Sequence, residues 1–355
     1  MITTNLLHRL TLPFAVIYGI LLLCVPKAAA EGFETGMRLC VGSVLPALFP
    51  FFVVSSLMIH APGNQVLGRP LRPFVRACGL RPKDTAVLLM LSWLGGYAVC
   101  AKLIGDALRT KRIRRSEAQA LLILGCCSSP GFVIGSVGGF MLGNLRIGIL
   151  LYFLQLASNL FAAALLWAKI RPEESSSATG LKADCITPVS LPQAISSALD
   201  SSLSVCGCVL FFCVTVSAIK AVIPMNALVT ACLCAVMEIS SGCYAFTRLE
   251  GAAAVYGICC CLGILSASVF SQIRYLVGSG IPLRWFALSR LCGTLFLCMG
   301  LRLCMAVLPG TAPVSSSLSE RVIVTNRLPW DSAFLLLCFL CAVLYKLYGK
   351  NYNCK

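Results

Sequence analysis

Long apolar runs recur along almost the whole chain, and they constrain its fold more than any other feature. One of them, residues 201–223 (SSLSVCGCVLFFCVTVSAIKAVI), carries a single charge in 23 residues. About 20 mostly apolar residues suffice for a helix to cross a bilayer core. Comparable runs occupy 11–26, 146–168, 285–308 and 331–348. With 58% hydrophobic and 12% charged residues, the chain holds more apolar side chains than one soluble core can shelter. The sequence therefore predicts an all-α polytopic membrane protein and excludes a soluble enzyme. Residues 6–23 precede an Ala-Ala-Ala stretch at Ala28–Ala30 and look like a signal peptide, but with spans following throughout they read as a retained first helix.

Other apolar stretches are interrupted by residues that break helices. Pro46 and Pro50 fall in 39–60, and Gly95 and Gly96 in 85–108. Ser128, Ser129, Pro130 and Gly131 fall in 117–143, and Ser240, Ser241 and Gly242 in 226–247. Stretch 250–277 holds Gly263, Ser266, Ser268, Ser271 and Gln272. Irregular backbone at membrane depth is tolerated where it is buried in protein or lines a cavity, so a series of such breaks marks a substrate path. The competing reading is close helix packing through small residues.

Charge placement turns these stretches into a topology. Arg69, Arg72, Arg76, Arg81 and Lys83 precede 85–108, and Arg109, Lys111, Arg112, Arg114 and Arg115 follow it. Both loops read as cytoplasmic. A segment between two cytoplasmic loops does not cross, so 85–108 is expected to be a re-entrant hairpin with its tip at Gly95, Gly96 and Tyr97. Threading onward places both termini in the cytoplasm and makes 226–247 a second hairpin entering from the opposite face. The expected fold is thus an inverted repeat with two re-entrant helical hairpins and broken transmembrane helices. Its parts are a first helix and outer loop (1–38), a first repeat (39–169), a cytoplasmic linker (170–192), a second repeat (193–308), and an outer loop with a last helix (309–355). Short amphipathic pieces at 65–79 and 191–200 are expected to lie in the interface. The net charge of +16 follows from basic loops, and nucleic acid is not an expected partner.

Candidate site residues are the polar groups at the expected tips and breaks: Gly95, Gly96, Tyr97, Lys102, Ser128, Ser129, Pro130, Glu238, Ser240, Ser241, Ser268 and Gln272. Ionisable residues within spans are functional candidates by default. Lys102 reads either as an anion ligand or as a snorkelling side chain. Glu238 reads as a ligand for a coupling H+ or Na+, as a substrate contact, or as the ion-pair partner of Lys102. The serines offer hydroxyls to a ligand or to their own backbone. Arg302 reads as a residue outside the site. The 22 cysteines sit in apolar runs (Cys126 and Cys127, Cys206 and Cys208, Cys259 to Cys261) and read as packing residues. Cys338 and Cys341 form a CxxC with no histidine or acid nearby. No cofactor is expected. GxSxG, P-loop and HExxH patterns are absent, so enzyme chemistry is not expected.

Five local motifs occur in order between residues 40 and 300: VLPALFPFFVVSSL (44–57), GGYAVCAKL (95–103), CSSPGFVIGSVGGF (127–140), MEISSG (237–242) and SASVFSQI (266–273). Together they resemble the YlbJ-type sporulation integral membrane proteins of the nucleoside-recognition, or gate-domain, group. Where that group reads G-Y-P-x-G-A-K, this chain has Ala98 and Cys100 in place of the proline and second glycine, and Ser129 replaces the asparagine of its S-N-P. The resemblance implies a fold like that of concentrative nucleoside transporters, a role in endospore formation, and location in the outer forespore membrane. It further implies movement of dipicolinate, with nucleoside or other metabolite transport and a non-transporting scaffold as rivals. A homo-oligomer is an open possibility beside the lipid bilayer and the small-molecule substrate.

Overall fold

The structure, a computed structural model, describes residues 2–80, 84–170, 189–249, 251–278 and 280–307. Most of the expected linker and the whole expected last helix at 331–348, with its CxxC, lie outside the described residues. All regular structure within them is helical. Large apolar side chains cover the outside, including Leu12, Ile17, Phe153, Leu165, Leu295 and Met299. A helical protein whose exterior is this apolar faces lipid, and the chain is an integral membrane protein.

Helix α1 (Ile2–Cys24) meets α2 (Pro26–Leu39) at an angle of 100°. The bend sits at Val25, where the following proline disfavours helical backbone. Residues 27–38 are therefore helix rather than the expected outer loop. The sequence GFETG explains why, because Gly32 and Gly36, one turn apart, let α2 lie directly on α8 (Leu191–Val222). A methyl on Gly32 would come within 2.8 Å of the Val214 Cα. After α2 a π-helical segment (Cys40–Val44) leads into α3 (Leu45–His60). The expected interruption at Pro46 and Pro50 is absent: Pro46 occupies the first turn of α3, where its missing N–H costs little, and the helix runs on through Pro50. The piece at 65–79 forms 3₁₀ turns and the short α4 (Arg72–Ala77).

Helix α5 (Thr85–Arg109) is long and apolar enough to cross a membrane, yet it folds back on itself. A straight helix of 25 residues would hold its ends roughly 37 Å apart. Instead Asp84, at its start, and Arg112, just past its end, form an ion pair of 2.7 Å. The reversal falls at Gly96, with φ 85° and ψ −175°, a conformation that essentially only glycine adopts. The expected first hairpin is present with its tip where the sequence put it.

The remaining helices repeat the theme of interruption. Helix α6 (Arg115–Gly125) ends in non-helical backbone at 126–129, followed by a π-helix (Gly131–Met141). Helix α7 (Leu145–Ile170) is uninterrupted. Helix α8 runs 32 residues without a break, so 191–200 forms its opening turns rather than a separate interfacial piece. Its start is set by Ser190 and Gln193 in a reciprocal cap. Helices α9 (Ala227–Met237) and α10 (Ile239–Thr247) form the second hairpin, turning at Glu238. The arms are so close that a methyl on Gly242 would collide with the backbone of Ala235. Helices α11 (Ala252–Ile264) and α12 (Ala267–Val277) are two halves of one run, broken at Leu265 (φ 65°). Helix α13 (Arg284–Val307) packs along α7, where Phe161 and Phe296 stack at 4.6 Å.

Candidate functional site

The first hairpin tip and the first break meet. A methyl on Gly96 would lie 2.8 Å from the Ser129 nitrogen, so the first tip rests directly on the break between α6 and the π-helix. Glu238 is 3% exposed, and its Oε2 accepts the Ser241 N–H at 2.7 Å, capping α10. The carboxylate thus satisfies a helix start that would otherwise leave open donors inside the protein.

A buried amide network holds the breaks in place. The Gln155 Oε1 on α7 accepts the Ser128 N–H at 3.2 Å, while its Nε2 donates to the Ser128 Oγ at 3.3 Å and the Leu262 carbonyl at 2.8 Å. One side chain therefore ties the first break to α11, three residues before the second. One turn on, the Asn159 Nδ2 donates to the Cys126 carbonyl at 2.9 Å. Its Oδ1 accepts from the Arg290 Nη1 at 2.8 Å. The Trp93 indole N–H reaches the Leu124 carbonyl at 3.0 Å and fixes the first hairpin to α6. Irregular backbone deep in a membrane protein persists only with such partners.

A cleft of about 850 Å³ opens beside this assembly, between α2, the π-helix, α8, α9 and α10. Arg38, Lys220 and Arg248 are the cations lining it, Arg38 being paired with Glu34 at 3.0 Å, and no Asp or Glu is among its described lining residues. Hydroxyls come from Ser136, Ser217, Thr230, Ser240 and Ser241. Arg248 lies 4.9 Å from the Tyr244 ring and donates to its hydroxyl at 3.0 Å. Lys220 is exposed and makes no hydrogen bond or ion pair with a described residue. Such a cleft presents positive charge, hydroxyl groups and an apolar wall from Phe132 and Phe140.

The residues expected from the sequence divide. Gly96 and Ser129 come together where the first tip meets the break, with Gly95, Tyr97, Ser128 and Pro130 adjoining them in the chain, while Glu238 caps α10 at the second tip. Ser240 and Ser241 line the cleft. Ser268 and Gln272 pair with each other on α12, the Gln272 Nε2 donating at 3.0 Å. The Gln272 Oε1 is buried without a partner. Lys102 is elsewhere: it is 3% exposed and does not snorkel, its Nζ donating to the Ser197 Oγ at 2.7 Å, with Asp106 at 3.6 Å. No ion pair joins it to Glu238 among the described residues. Arg302 is exposed on α13. Sequence reasoning did not single out the cleft cations, nor the buried Gln155, Asn159 and Arg290. Three polar residues on one face of α7, Gln155, Ser158 and Asn159, were the available signal. Among the described residues no three His, Cys, Asp or Glu side chains gather as a metal would need.

Fold and site together define a class: a polytopic helical membrane protein with hairpins and broken helices around a cationic cleft. Among known proteins, the chain is 30% identical over 149 residues to the sporulation integral membrane protein YlbJ of Bacillus subtilis (strain 168). The match covers 42% of this chain and about a third, 36%, of that protein's length. No family model and no solved structure matches.

Proposed function

We propose that this chain is a sporulation membrane transporter that moves a small anionic metabolite, dipicolinate first, by alternating access across the outer forespore membrane. The observation that carries the reading is a hairpin tip seated on a helix break beside a cleft lined by Lys220 and Arg248, with no carboxylate among its described lining residues. Broken helices at a common depth are how transporters present backbone dipoles to substrate. The similarity to YlbJ supports the sporulation setting.

An inverted repeat accounts for the reciprocal packing. The first hairpin packs on α6 of its own half and on α12 of the other; the second packs on α11 of its own half and on the π-helix of the other. The Lys102 contact with Ser197 ties the first hairpin to α8, while the cleft is lined by Lys220 and Arg248. A carboxylate anion would enter past those two cations and reach Ser240 and Ser241. Glu238 remains the candidate for a coupling H+ or Na+.

Purified protein in liposomes should take up labelled dipicolinate saturably, and Lys220→Ala with Arg248→Ala should lower that uptake at least tenfold at limiting substrate. Folded protein without saturable uptake would favour a scaffold role. Uptake displaced by nucleosides rather than by pyridine carboxylates would assign a different cargo.

A further inference from the structure

Basic side chains from both halves of the chain gather at one end of the protein, around the base of the first hairpin. The ion pair between Asp84 and Arg112 closes that base. Segment 64–77 lies on it, since a methyl on Gly68 would come within 2.8 Å of the Val87 nitrogen. The second half reaches the same place: the Arg109 Nη1 donates to the Leu276 carbonyl at 3.2 Å, and a methyl on Gly280 would meet the Leu108 side chain at 3.5 Å. Helix α13 starts close by in the chain, at Arg284.

Positive charge at this end is in excess. The three carboxylates between residues 64 and 117 are all engaged: Asp84 with Arg112, Asp106 with Arg109 and Lys102, and Glu117 with the Arg114 backbone N–H. Arg69, Arg76, Lys111, Arg115 and Arg284 are exposed, and none of them pairs with a described carboxylate. A cation in the last turn of a helix complements the helix dipole, which accounts for Arg76 on α4. Arg115 and Arg284 instead open α6 and α13, at the positive end, where a cation is unfavourable. Lys111 has φ 56°, a left-handed backbone that suits glycine or asparagine better than lysine. These three placements carry a cost in the protein by itself, and an anion lying over the cations offsets it.

The adjoining surface identifies what carries the anion. Helix α13 has 24 residues. At about 36 Å it exceeds a hydrocarbon core of about 30 Å, so Arg284 stands at headgroup level. Its guanidinium lies 5.3 Å from the ring of Trp285, a residue type that favours the same level. Along one face from Arg284, Leu288, Leu291 and Leu295 are 38%, 54% and 68% exposed, at the four-and-three spacing of a helix stripe. A phosphate over Arg284 is therefore continuous with an apolar strip on which acyl chains can lie. A soluble anion would use the charge and leave the strip bare.

We propose that this end of the protein is a docking surface for anionic phospholipid, its headgroups held by Arg69, Arg76, Lys111, Arg115 and Arg284 and its acyl chains lying on the leucine strip of α13. Like charges crowded around the hairpin base repel one another, and headgroups that neutralise them steady the hairpin. The proposal concerns the lipid around the protein and is independent of any cargo.

The test is native mass spectrometry of the full chain in detergent, titrated with phosphatidylglycerol and phosphatidylcholine of identical acyl chains. Each cation beside an anionic headgroup favours it about fivefold, so wild-type protein should bind phosphatidylglycerol about tenfold or more tightly than phosphatidylcholine. Lys111→Gly combined with Arg115→Gln should cut that preference about fivefold or more. The double variant should keep its thermal stability in detergent, since glycine suits the backbone at 111. Arg302→Gln removes an exposed cation farther along α13 and should leave the preference unchanged. Equal binding of the two lipids by the wild type would overturn the proposal, as would an unchanged preference in the double variant. An equal loss in Arg302→Gln would show that net charge alone is read and would overturn it too. Glycerol phosphate displacing phosphatidylglycerol at matched concentration would reassign the face to soluble phosphate. Capture of polyglutamate without a lipid preference would reassign it to an acidic protein, and either result overturns the proposal. If the double variant does not fold, Arg284→Gln decides: a reduced preference supports the proposal and an unchanged one overturns it.

Discussion

Gly96 and Gly278 form a matched pair that separates backbone strain from contact at the first hairpin tip. Gly96 has φ 85° and ψ −175°; Gly278 has φ 81° and ψ −176°. The two differ in surroundings, because a methyl on Gly96 would lie 2.8 Å from the Ser129 nitrogen and 3.0 Å from its Cβ, while a methyl on Gly278 meets nothing within 4 Å. Alanine at either position suffers the strain of a glycine-only region, about 1–3 kcal/mol. At Gly96 it also overpacks against backbone that the Gln155 network holds in place, a further cost of about 1–3 kcal/mol. Gly278→Ala should therefore destabilise by about 1–3 kcal/mol and Gly96→Ala by about 2–6 kcal/mol. Denaturant unfolding of purified protein in micelles, followed by tryptophan fluorescence, measures both. Gly96→Ala should also lower transport, since the tip that rests on the break is displaced. Equal destabilisation by the two substitutions would refute the contact between tip and break, and with it the site built on that contact.

Three further outcomes follow from the same geometry. Cysteines replacing Asp84 and Arg112 should be joined by a short bis-maleimide in an otherwise cysteine-free protein; if α5 crossed the membrane straight, no cross-link would form. Gly32→Leu should push α2 off α8 and cost about 1–3 kcal/mol, whereas the same change at Gly19, which has nothing within 4 Å, should be near neutral in an unfolding assay. Gln155→Leu should cost at least about 2 kcal/mol, because it strands the Ser128 N–H and the Leu262 carbonyl in a buried setting. Stability equal to wild type in that variant would mean the breaks are held by other groups.

The first hairpin was legible in the sequence because two local signals agree there. Gly95-Gly96 breaks the helix, and basic clusters on both sides forbid a crossing. The breaks at 126–129 and at Leu265 were legible within a few residues for a similar reason, since serine and proline compete with helical hydrogen bonds. Helix α2 was not legible. Its Lys27, Glu31, Glu34 and Arg38 read as a polar loop, and the glycines at 32 and 36 gain meaning only once α8 lies against them. Arg290 was missed for a deeper reason: it stands near the start of a span, where a basic residue ordinarily belongs to the adjoining loop. Its partners, Asn159 and Cys126, are 131 and 164 residues away in the chain. Local composition carries no information about such distances.

This difference also reshapes the list of ligand-binding groups. A buried polar atom that already has its partner offers little to a ligand, because binding would exchange one hydrogen bond for another and leave the old partner stranded. Lys102, Ser128 and Ser268 are all engaged within the protein. Their sequence positions at tips and breaks reflect the cost of stabilising irregular backbone at depth, and that cost alone selects polar residues there. Free capacity lies elsewhere: Lys220 has no described partner, and the Gln272 Oε1 is buried and unpaired. If the proposed transport is correct, substitutions at Lys220 should raise KM with little effect on stability. Substitutions at Lys102 should act in the opposite order, loosening the hairpin before they touch affinity.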